Sequence, residues 1–200
     1  MARRRLGVLV SGRGSNLEAL LGAGLEVALV VSNRPEVRAL DVARAHQVEA
    51  RVLRRADFPD ADSRDQAIGT ALRQADVGLA VLAGYDQLLR PAYFTAFGGR
   101  TINIHPSLLP AHGGRGMIGA AVHRAVLAAG DRVTGASVHE VTPELDAGPV
   151  LARAEVPVEP GDDVPSLAAR VLVAEHRLLV DSVRRLLADL ETARDASGAS

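Results

Sequence analysis

The chain has 200 residues, of which 48% are apolar, and its formal net charge is -1. This length suits one domain with a sizeable core and is short for two. The small net charge and the aromatic content of 2% argue against a surface that binds nucleic acid. Cysteine is absent, which excludes disulfides, thiolate metal sites and a cysteine nucleophile.

The first apolar run follows three arginines, Arg3 to Arg5, and therefore resembles the start of a signal peptide. Gly12 and Arg13 end that run too early for a signal sequence. No other apolar stretch of the sequence is long enough to cross a bilayer. We therefore expect a cytoplasmic protein with no membrane partner.

Short apolar runs alternate with longer segments of helical periodicity over the first two thirds of the chain. The runs predict buried strands, and the segments between them predict helices. This alternation is typical of a parallel sheet with crossover helices. The predicted strands are Leu6–Ser11, Val27–Ser32, Gly78–Ala83 and Thr101–Ile104, and the predicted helices are Asn16–Leu21, Val37–His46, Ser63–Gln74 and Met117–Ala129.

The last third of the chain has a different pattern. Two strands, Val133–Val141 and Val150–Val158, are predicted on either side of a loop, and Leu167–Leu190 has the spacing of one long amphipathic helix. We predict an α/β, Rossmann-like fold with an open, mostly parallel twisted sheet, helices on both faces and a long C-terminal helix. Residues 1–190 would form a single domain, and residues 191–200 a frayed tail.

A glycine-rich loop, Ser11–Leu17, follows the first strand and opens a helix. Glycines allow close backbone approach, and free N–H groups at a helix start attract anions, so phosphate is the natural ligand. An ordinary glycine turn is an equal alternative. A dinucleotide site is disfavoured because Leu17 occupies the third glycine position of the fingerprint, although Arg34 could meet a 2′-phosphate.

The segment around Asn103 and His105 carries the strongest chemical signal. Strand alternation places both side chains on one side at the end of a strand, where ligands bind in open parallel sheets. An amide donor and an imidazole there could polarise and protonate an acyl oxygen. The alternative is that Asn103 caps a turn and His105 is a hydrogen-bonded edge residue.

A third polar residue, Asp146, lies in the loop between the last two predicted strands. Alone it would be a turn former, but beside His105 it could orient the imidazole. His112 and His123 could be imagined as metal ligands together with His105. Their spacing matches no common metal site, so we expect no metal.

Three motifs together resemble the folate-dependent formyltransferases. They are Ser11–Leu17, Asn103–Pro110 and Leu145–Val150, and the resemblance extends from Leu6 to about Leu187. The Asn-x-His-x-Ser-Leu-Leu-Pro and Leu-Asp-x-Gly-Pro motifs are specific to this class. The glycine loop points to the branch that formylates glycinamide ribonucleotide, and the methionyl-tRNA branch lacks that loop.

The resemblance implies a role for each matching residue. Asn103 would bind the formyl oxygen, His105 would stabilise the developing oxyanion as an acid, and Asp146 would orient His105 and assist proton removal. The substrate phosphate would be held by the glycine loop and the ribose by Glu175. The loop residues that would hold the phosphate are Gly14, Ser15 and Asn16, and those implied to contact the folate are Arg64, Asp86, Gln87, Leu88, Leu89, Asn103 and His139.

The chain departs from the family in the folate loop. The family usually has an aromatic residue followed by Met-Arg, whereas this chain has Tyr85, Asp86 and Gln87. The arginine is thus missing, and a carboxylate has appeared, in the loop where the anionic tail of folate would pass. We expect Asp86 to repel that tail weakly if its side chain faces it.

The resemblance also implies the ligands. They are 10-formyltetrahydrofolate as co-substrate and glycinamide ribonucleotide as acceptor, with no metal and no nucleic acid, in a monomer or homodimer. Three alternatives remain at this point. They are a formyltransferase acting on another amine such as an amino sugar nucleotide, a catalytically silent folate- or nucleotide-binding module, and an NADP-dependent oxidoreductase.

Overall fold

The computed structural model describes residues 5–197. Seven strands form one sheet in the order β3-β2-β1-β4-β5-β6-β7. The first five strands run parallel, and β6 and β7 are antiparallel additions at one edge. The strands are β1 Arg5–Val10, β2 Val27–Ser32, β3 Ala50–Val52, β4 Val77–Leu82, β5 Arg100–His105, β6 Val133–Glu140 and β7 Val150–Pro157.

Six α-helices connect or follow these strands within the described residues, and none of them is long and apolar enough to span a membrane. They are α1 Ser15–Gly22, α2 Arg38–Ala45, α3 Ala61–Gln74, α4 Pro91–Phe97, α5 Ala120–Ala129 and α6 Val164–Ser197.

Helices cover both faces of the sheet, which explains why the central strands are apolar at almost every position. One core cluster packs Leu17 of α1 and Leu179 of α6 against the sheet. The other packs Ile68 of α3 and Tyr93 of α4 against the opposite face. The predicted Rossmann-like architecture, with its long C-terminal helix, is confirmed.

Several predicted boundaries were wrong for local reasons. Helix α5 begins at Ala120 rather than Met117, because Gly116 and Gly119 have φ of 84° and 55°. Helix α6 runs from Val164 to Ser197 rather than from Leu167 to Leu190. That residues 191–200 form a frayed tail stays a prediction, and residues 198–200 lie outside the described residues. The sequence pattern also missed the short elements β3 and α4.

The strand order places the functional residues together. The chain turns in opposite directions from β1 and from β4, and such a switch point is where open α/β sheets bind ligands. The loops after β1, β4 and β5 all emerge at this edge. Antiparallel pairing of β5 with β6 sets Asn103 directly opposite His139.

Candidate active site

A cavity of about 690 Å³ opens at this edge, which is a size typical of small-molecule sites. It is bounded by the glycine loop, the loops after β4 and β5, the β6–β7 loop and helices α5 and α6. Every predicted site residue except Arg64 lines it, namely Gly14, Ser15, Asn16, Asp86, Gln87, Leu88, Leu89, Asn103, His105, His139, Asp146 and Glu175.

The amide of Asn103 is oriented by His139. The His139 Nδ1 lies 2.8 Å from the carbonyl oxygen of Glu140, and a carbonyl only accepts, so Nδ1 carries the proton. The Nε2 atom of the neutral ring then accepts from Asn103 Nδ2 at 3.0 Å. Burial lowers the pKa of His139 and favours this neutral form. One amide N–H of Asn103 is thereby fixed, and the other remains for a ligand.

The tautomer of His105 follows from a second backbone carbonyl. His105 Nε2 lies 2.9 Å from the carbonyl oxygen of His112, so Nε2 carries the proton in the neutral ring. Nδ1 faces Asp146 instead, with 4.0 Å between Nδ1 and Oδ2. The His105 side chain is buried at the end of β5. When the ring takes a second proton, that proton sits on Nδ1.

Asp146 has a left-handed backbone, with φ of 52°, in the β6–β7 loop. Its Oδ2 accepts from the backbone N–H of Gly114 at 2.8 Å, and its Oδ1 lies 3.6 Å from His139 Nε2. Asp146 is therefore positioned between the two histidine rings. The predicted group of Asn103, His105 and Asp146 is brought together in the structure, and His139 completes it.

The glycine loop has both a structural and a binding aspect. Gly14 has φ of 78°, and a Cβ on it would lie 2.7 Å from the Cα of Ala39 in α2, so glycine is needed there for the fold itself. A Cβ on Gly12 would meet nothing within 4 Å. Asn16 is buried in the cavity wall, and its Oδ1 has no hydrogen-bond partner among the described residues. A buried orphan oxygen at a cavity indicates a ligand that donates to it.

Glu175 approaches the same end of the cavity from α6. Burial raises the pKa of its carboxyl to about 7, and Asn16 and Arg13 oppose that rise. A carboxylate here could accept from ligand hydroxyl groups. Glu175 therefore lies where the resemblance requires it, next to the glycine loop.

The prediction that Arg64 contacts the folate needs correction. Arg64 is only 2% exposed and does not line the cavity, because its guanidinium donates twice to Asp65 on the same helix. A further N–H reaches Gln87 Oε1 at 3.1 Å. Asp65 also accepts from the backbone N–H of Arg90 at 2.8 Å. Arg64 and Asp65 thus support the loop after β4 from behind.

Asp86 does not face the cavity as an unpaired charge. Its carboxylate accepts from Asn33 Nδ2 at 2.7 Å and forms an ion pair with Arg34. Partial burial opposes ionisation, but the hydrogen bond from Asn33 and the charge of Arg34 help to outweigh it, so the pKa of Asp86 is lowered. Arg34 is thereby engaged by the protein rather than free for the 2′-phosphate considered above.

The motifs of the sequence did not single out His123 of α5 as a ligand-binding residue. Its side chain is buried and lines the cavity, and its Nδ1 has no hydrogen-bond partner within the described part of the chain. Burial and the charge of His105 lower the pKa of His123, so the ring is neutral. A lone histidine within an apolar helix gave no signal that would distinguish it from a core residue.

The mouth of the cavity is apolar. Leu88, Ile118 and Leu145 line it with exposed side chains from three different loops. Exposed apolar side chains converging on one opening suit a flat, partly aromatic ligand. The cavity therefore joins an apolar entrance, a cluster of amide, imidazole and carboxylate groups, and a glycine loop at a helix start. Such an arrangement suits acyl transfer to a phosphorylated acceptor.

Comparison with known proteins agrees with this chemistry. Residues 4–183 match the model of the formyl transferase family. The chain belongs to the formyl transferase family. It is 42% identical over 190 residues to a phosphoribosylglycinamide formyltransferase of Mycobacterium tuberculosis, covering 92% of this chain and 86% of the relative.

Other formyl transferase relatives are longer. A trifunctional purine biosynthetic protein adenosine-3 of Gallus gallus is 39% identical over 179 residues, which cover 86% of this chain but only 17% of that protein.

The crystal structure of glycinamide ribonucleotide transformylase 1 from Symbiobacterium toebii superposes with a TM-score of 0.87 at 39% identity, covering 92% of this chain and 88% of that chain. That of phosphoribosylglycinamide formyltransferase from Brucella melitensis gives 0.85 at 39% identity, covering 93% and 96%.

Proposed function

We propose that this protein transfers the formyl group of 10-formyltetrahydrofolate to the amine of 5-phosphoribosylglycinamide in de novo purine biosynthesis. One observation carries the proposal. The Asn103, His105 and Asp146 cluster and the glycine loop with Glu175 line the same cavity. The family membership and the relatives named above support the same reaction, and residues 1–190 would form the single domain that performs it.

Asn103 and His105 act on the formyl oxygen. The acceptor amine attacks the formyl carbon, a C–N bond forms, and negative charge develops on that oxygen. The free N–H of Asn103 and the protonated Nδ1 of His105 stabilise this charge. The bond from the formyl carbon to the folate nitrogen then breaks, and that nitrogen takes the proton that the amine has given to Asp146.

Asp146 is the proton acceptor in this scheme. The attacking amine must lose one proton, and a carboxylate between two imidazoles is a suitable acceptor. The same carboxylate would orient the imidazole of His105. No covalent intermediate with the protein is required by this scheme.

Recognition is divided along the cavity. The backbone of the glycine loop and the start of α1 would hold the phosphate, and Asn16 and Glu175 the ribose-bearing part of the acceptor. The apolar mouth formed by Leu88, Ile118 and Leu145 would hold the rings of the folate. Hydrogen bonds to the rest of the protein hold the loop after β4 in place, so this loop would form one wall of the mouth before a ligand binds.

The experiment is a competition between acceptors. Purified protein is incubated with 10-formyltetrahydrofolate and glycinamide ribonucleotide, an amino sugar nucleotide, or water alone, and formylated product and free tetrahydrofolate are quantified. We expect product only with glycinamide ribonucleotide. Formylation of the amino sugar nucleotide in its place would reassign the acceptor. Folate binding without turnover of any acceptor would support the silent binding module instead.

A further inference from the structure

The turn formed by residues 111–114 holds both groups that handle protons in the site. The carbonyl of His112 accepts from His105 Nε2 at 2.9 Å, and the N–H of Gly114 donates to Asp146 Oδ2 at 2.8 Å. Ser107 Oγ, one turn earlier, donates to the carbonyl of Ala111 at 2.6 Å. The geometry of this turn therefore determines where the reacting imidazole and carboxylate lie.

The backbone of this turn is held in an unfavourable conformation. His112 has φ of 52°, a left-handed value that is unfavourable for a residue with a side chain. Its imidazole Nε2 lies 2.6 Å from Asp131 Oδ2, in the segment between α5 and β6. Neither His112 nor Asp131 lines the cavity. This side-chain contact ties the left-handed residue of the turn to the segment before β6.

We propose that the His112–Asp131 pair is a tether that selects the tautomer of His105 and so sets the rate of the transfer step. Neutral His105 has one proton and two neighbouring acceptors, the His112 carbonyl at 2.9 Å and the Asp146 carboxylate at 4.0 Å. A carboxylate is the stronger acceptor, so a free ring would turn its proton to Asp146 through Nδ1. The tethered carbonyl, being closer, retains the proton on Nε2.

The consequence is specific to the chemical step. With the Nε2 proton fixed, Nδ1 is the atom that gains and gives a proton beside Asp146. Without the tether, the neutral ring would hold its one proton on Nδ1 and donate it to Asp146, which would turn that proton away from the formyl oxygen and occupy the carboxylate that accepts the amine proton. Because the two tether residues lie outside the cavity, substrate binding is unaffected. His112 and Asp131 are thus positioning residues, and their kinetic effect depends on the proposed formyl transfer.

The test combines kinetics with a spectroscopic readout. His112→Gly, which accepts a left-handed backbone, Asp131→Ala and the double variant are compared with His46→Ala, an exposed histidine in the segment after α2. We expect each single variant to lose about tenfold to hundredfold in kcat with KM unchanged. The double variant should lose no more than a single one, since both remove one tether.

Nuclear magnetic resonance of the ring nitrogens measures the tautomer of His105 directly, without any substrate. We expect the Nε2–H form in the parent and in His46→Ala, and a shift to the Nδ1–H form in the tether variants. Should Asp131→Ala disturb folding, Asp131→Asn and thermal unfolding replace it. An unchanged tautomer, an unchanged kcat in an active enzyme, or additive losses in the double variant would overturn the tether. An inactive parent would refute the proposed function and leave the tautomer measurement to decide the tether.

Discussion

Two groups of polar side chains line the same cavity at the ends of neighbouring parallel strands. They differ in how fully the protein itself uses their hydrogen-bonding groups. At the carboxyl end of β5, Asn103 and His105 are each held by one hydrogen bond to the protein and keep a second group open. After β4, Asp86 is paired with Asn33 and Arg34, and Gln87 is paired with Arg64. Asn103 and His105 therefore keep hydrogen-bonding groups that a ligand could use, whereas Asp86 and Gln87 are engaged by the protein.

The largest expected effect lies in the first group. We predict that His105→Ala and Asp146→Asn each lose about 100-fold or more in kcat, because each removes a group that stabilises charge or moves a proton. Asparagine tolerates the left-handed backbone at position 146, so that variant keeps its fold. Steady-state kinetics and thermal unfolding check both points. Near-normal turnover of His105→Ala would remove the distinction between the two groups.

The glycine loop extends the comparison to backbone groups. Gly12→Val places a side chain in open space without touching the fold, so we expect KM for the ribonucleotide to rise about tenfold or more. KM for the folate should change much less. Gly14 is unsuitable for this test because its substitution strains α2.

Gly22→Ala, at the far end of α1, is the matched control, since a Cβ there also meets nothing. It should leave both KM values unchanged. Equal increases of both KM values in Gly12→Val would mean that the loop is only structural.

Glu175 offers a further test because its carboxyl is buried and changes charge near neutral pH. Its pKa of about 7 means that the accepting carboxylate form is lost as the pH falls below neutrality. We expect KM for the ribonucleotide to rise in that direction in the parent. Glu175→Gln should show a KM about tenfold higher that no longer depends on this group. A parental pH dependence that persists in the variant would assign it to another residue.

The stability of the fold should change with the opposite sign. A carboxyl whose pKa rises from 4.5 to about 7 on folding contributes stability that is complete below 4.5 and is lost as the pH rises through 7. Glu175→Gln should therefore melt close to the parent in acid and above it in mild alkali. Melting curves at both pH values measure this, and a variant that melts lower in alkali would contradict the assigned pKa.

The smallest effect is expected at Asp86. Its ion pair with exposed Arg34 is worth only about 0.2–1 kcal/mol. Asp86→Ala should release Arg34 and slightly tighten binding of folates that carry the glutamate tail, whereas Arg34→Ala should weaken it. Added salt should reduce both differences. Equal binding of tailed and untailed folates by both variants would place this pair away from the tail.

The sequence predicted most of this site because its signals were local. The glycine loop follows a strand directly, and Asn103 and His105 lie two residues apart on one strand. Because parallel strands end at one edge of the sheet, these local positions already predict that the residues lie close together. The strand pairing of β5 with β6, which sets His139 against Asn103, is a long-range property that spacing alone could not give. The motif that identified Asp146 likewise gave no distance to His105.

The failures have a common physical cause. Arg64 was assigned to the folate by resemblance, but its partner on the same helix, Asp65, becomes visible only when the chain is folded. His123 was considered only as a metal ligand, because burial against a cavity and burial in a core have the same sequence pattern. The predicted helix start at Met117 failed because glycine φ values, rather than apolar spacing, decided it.

The most direct measurement sets one residue from each group side by side. Asn103→Ala and Asp86→Ala both remove a polar side chain that lines the cavity, one near the end of β5 and the other after β4. For formyl transfer to glycinamide ribonucleotide, kcat of Asn103→Ala should fall by about 100-fold or more. The kcat of Asp86→Ala should fall by less than about threefold. Comparable losses in the two variants, or the larger loss in Asp86→Ala, would contradict the claim that the open amide and imidazole groups carry the reaction.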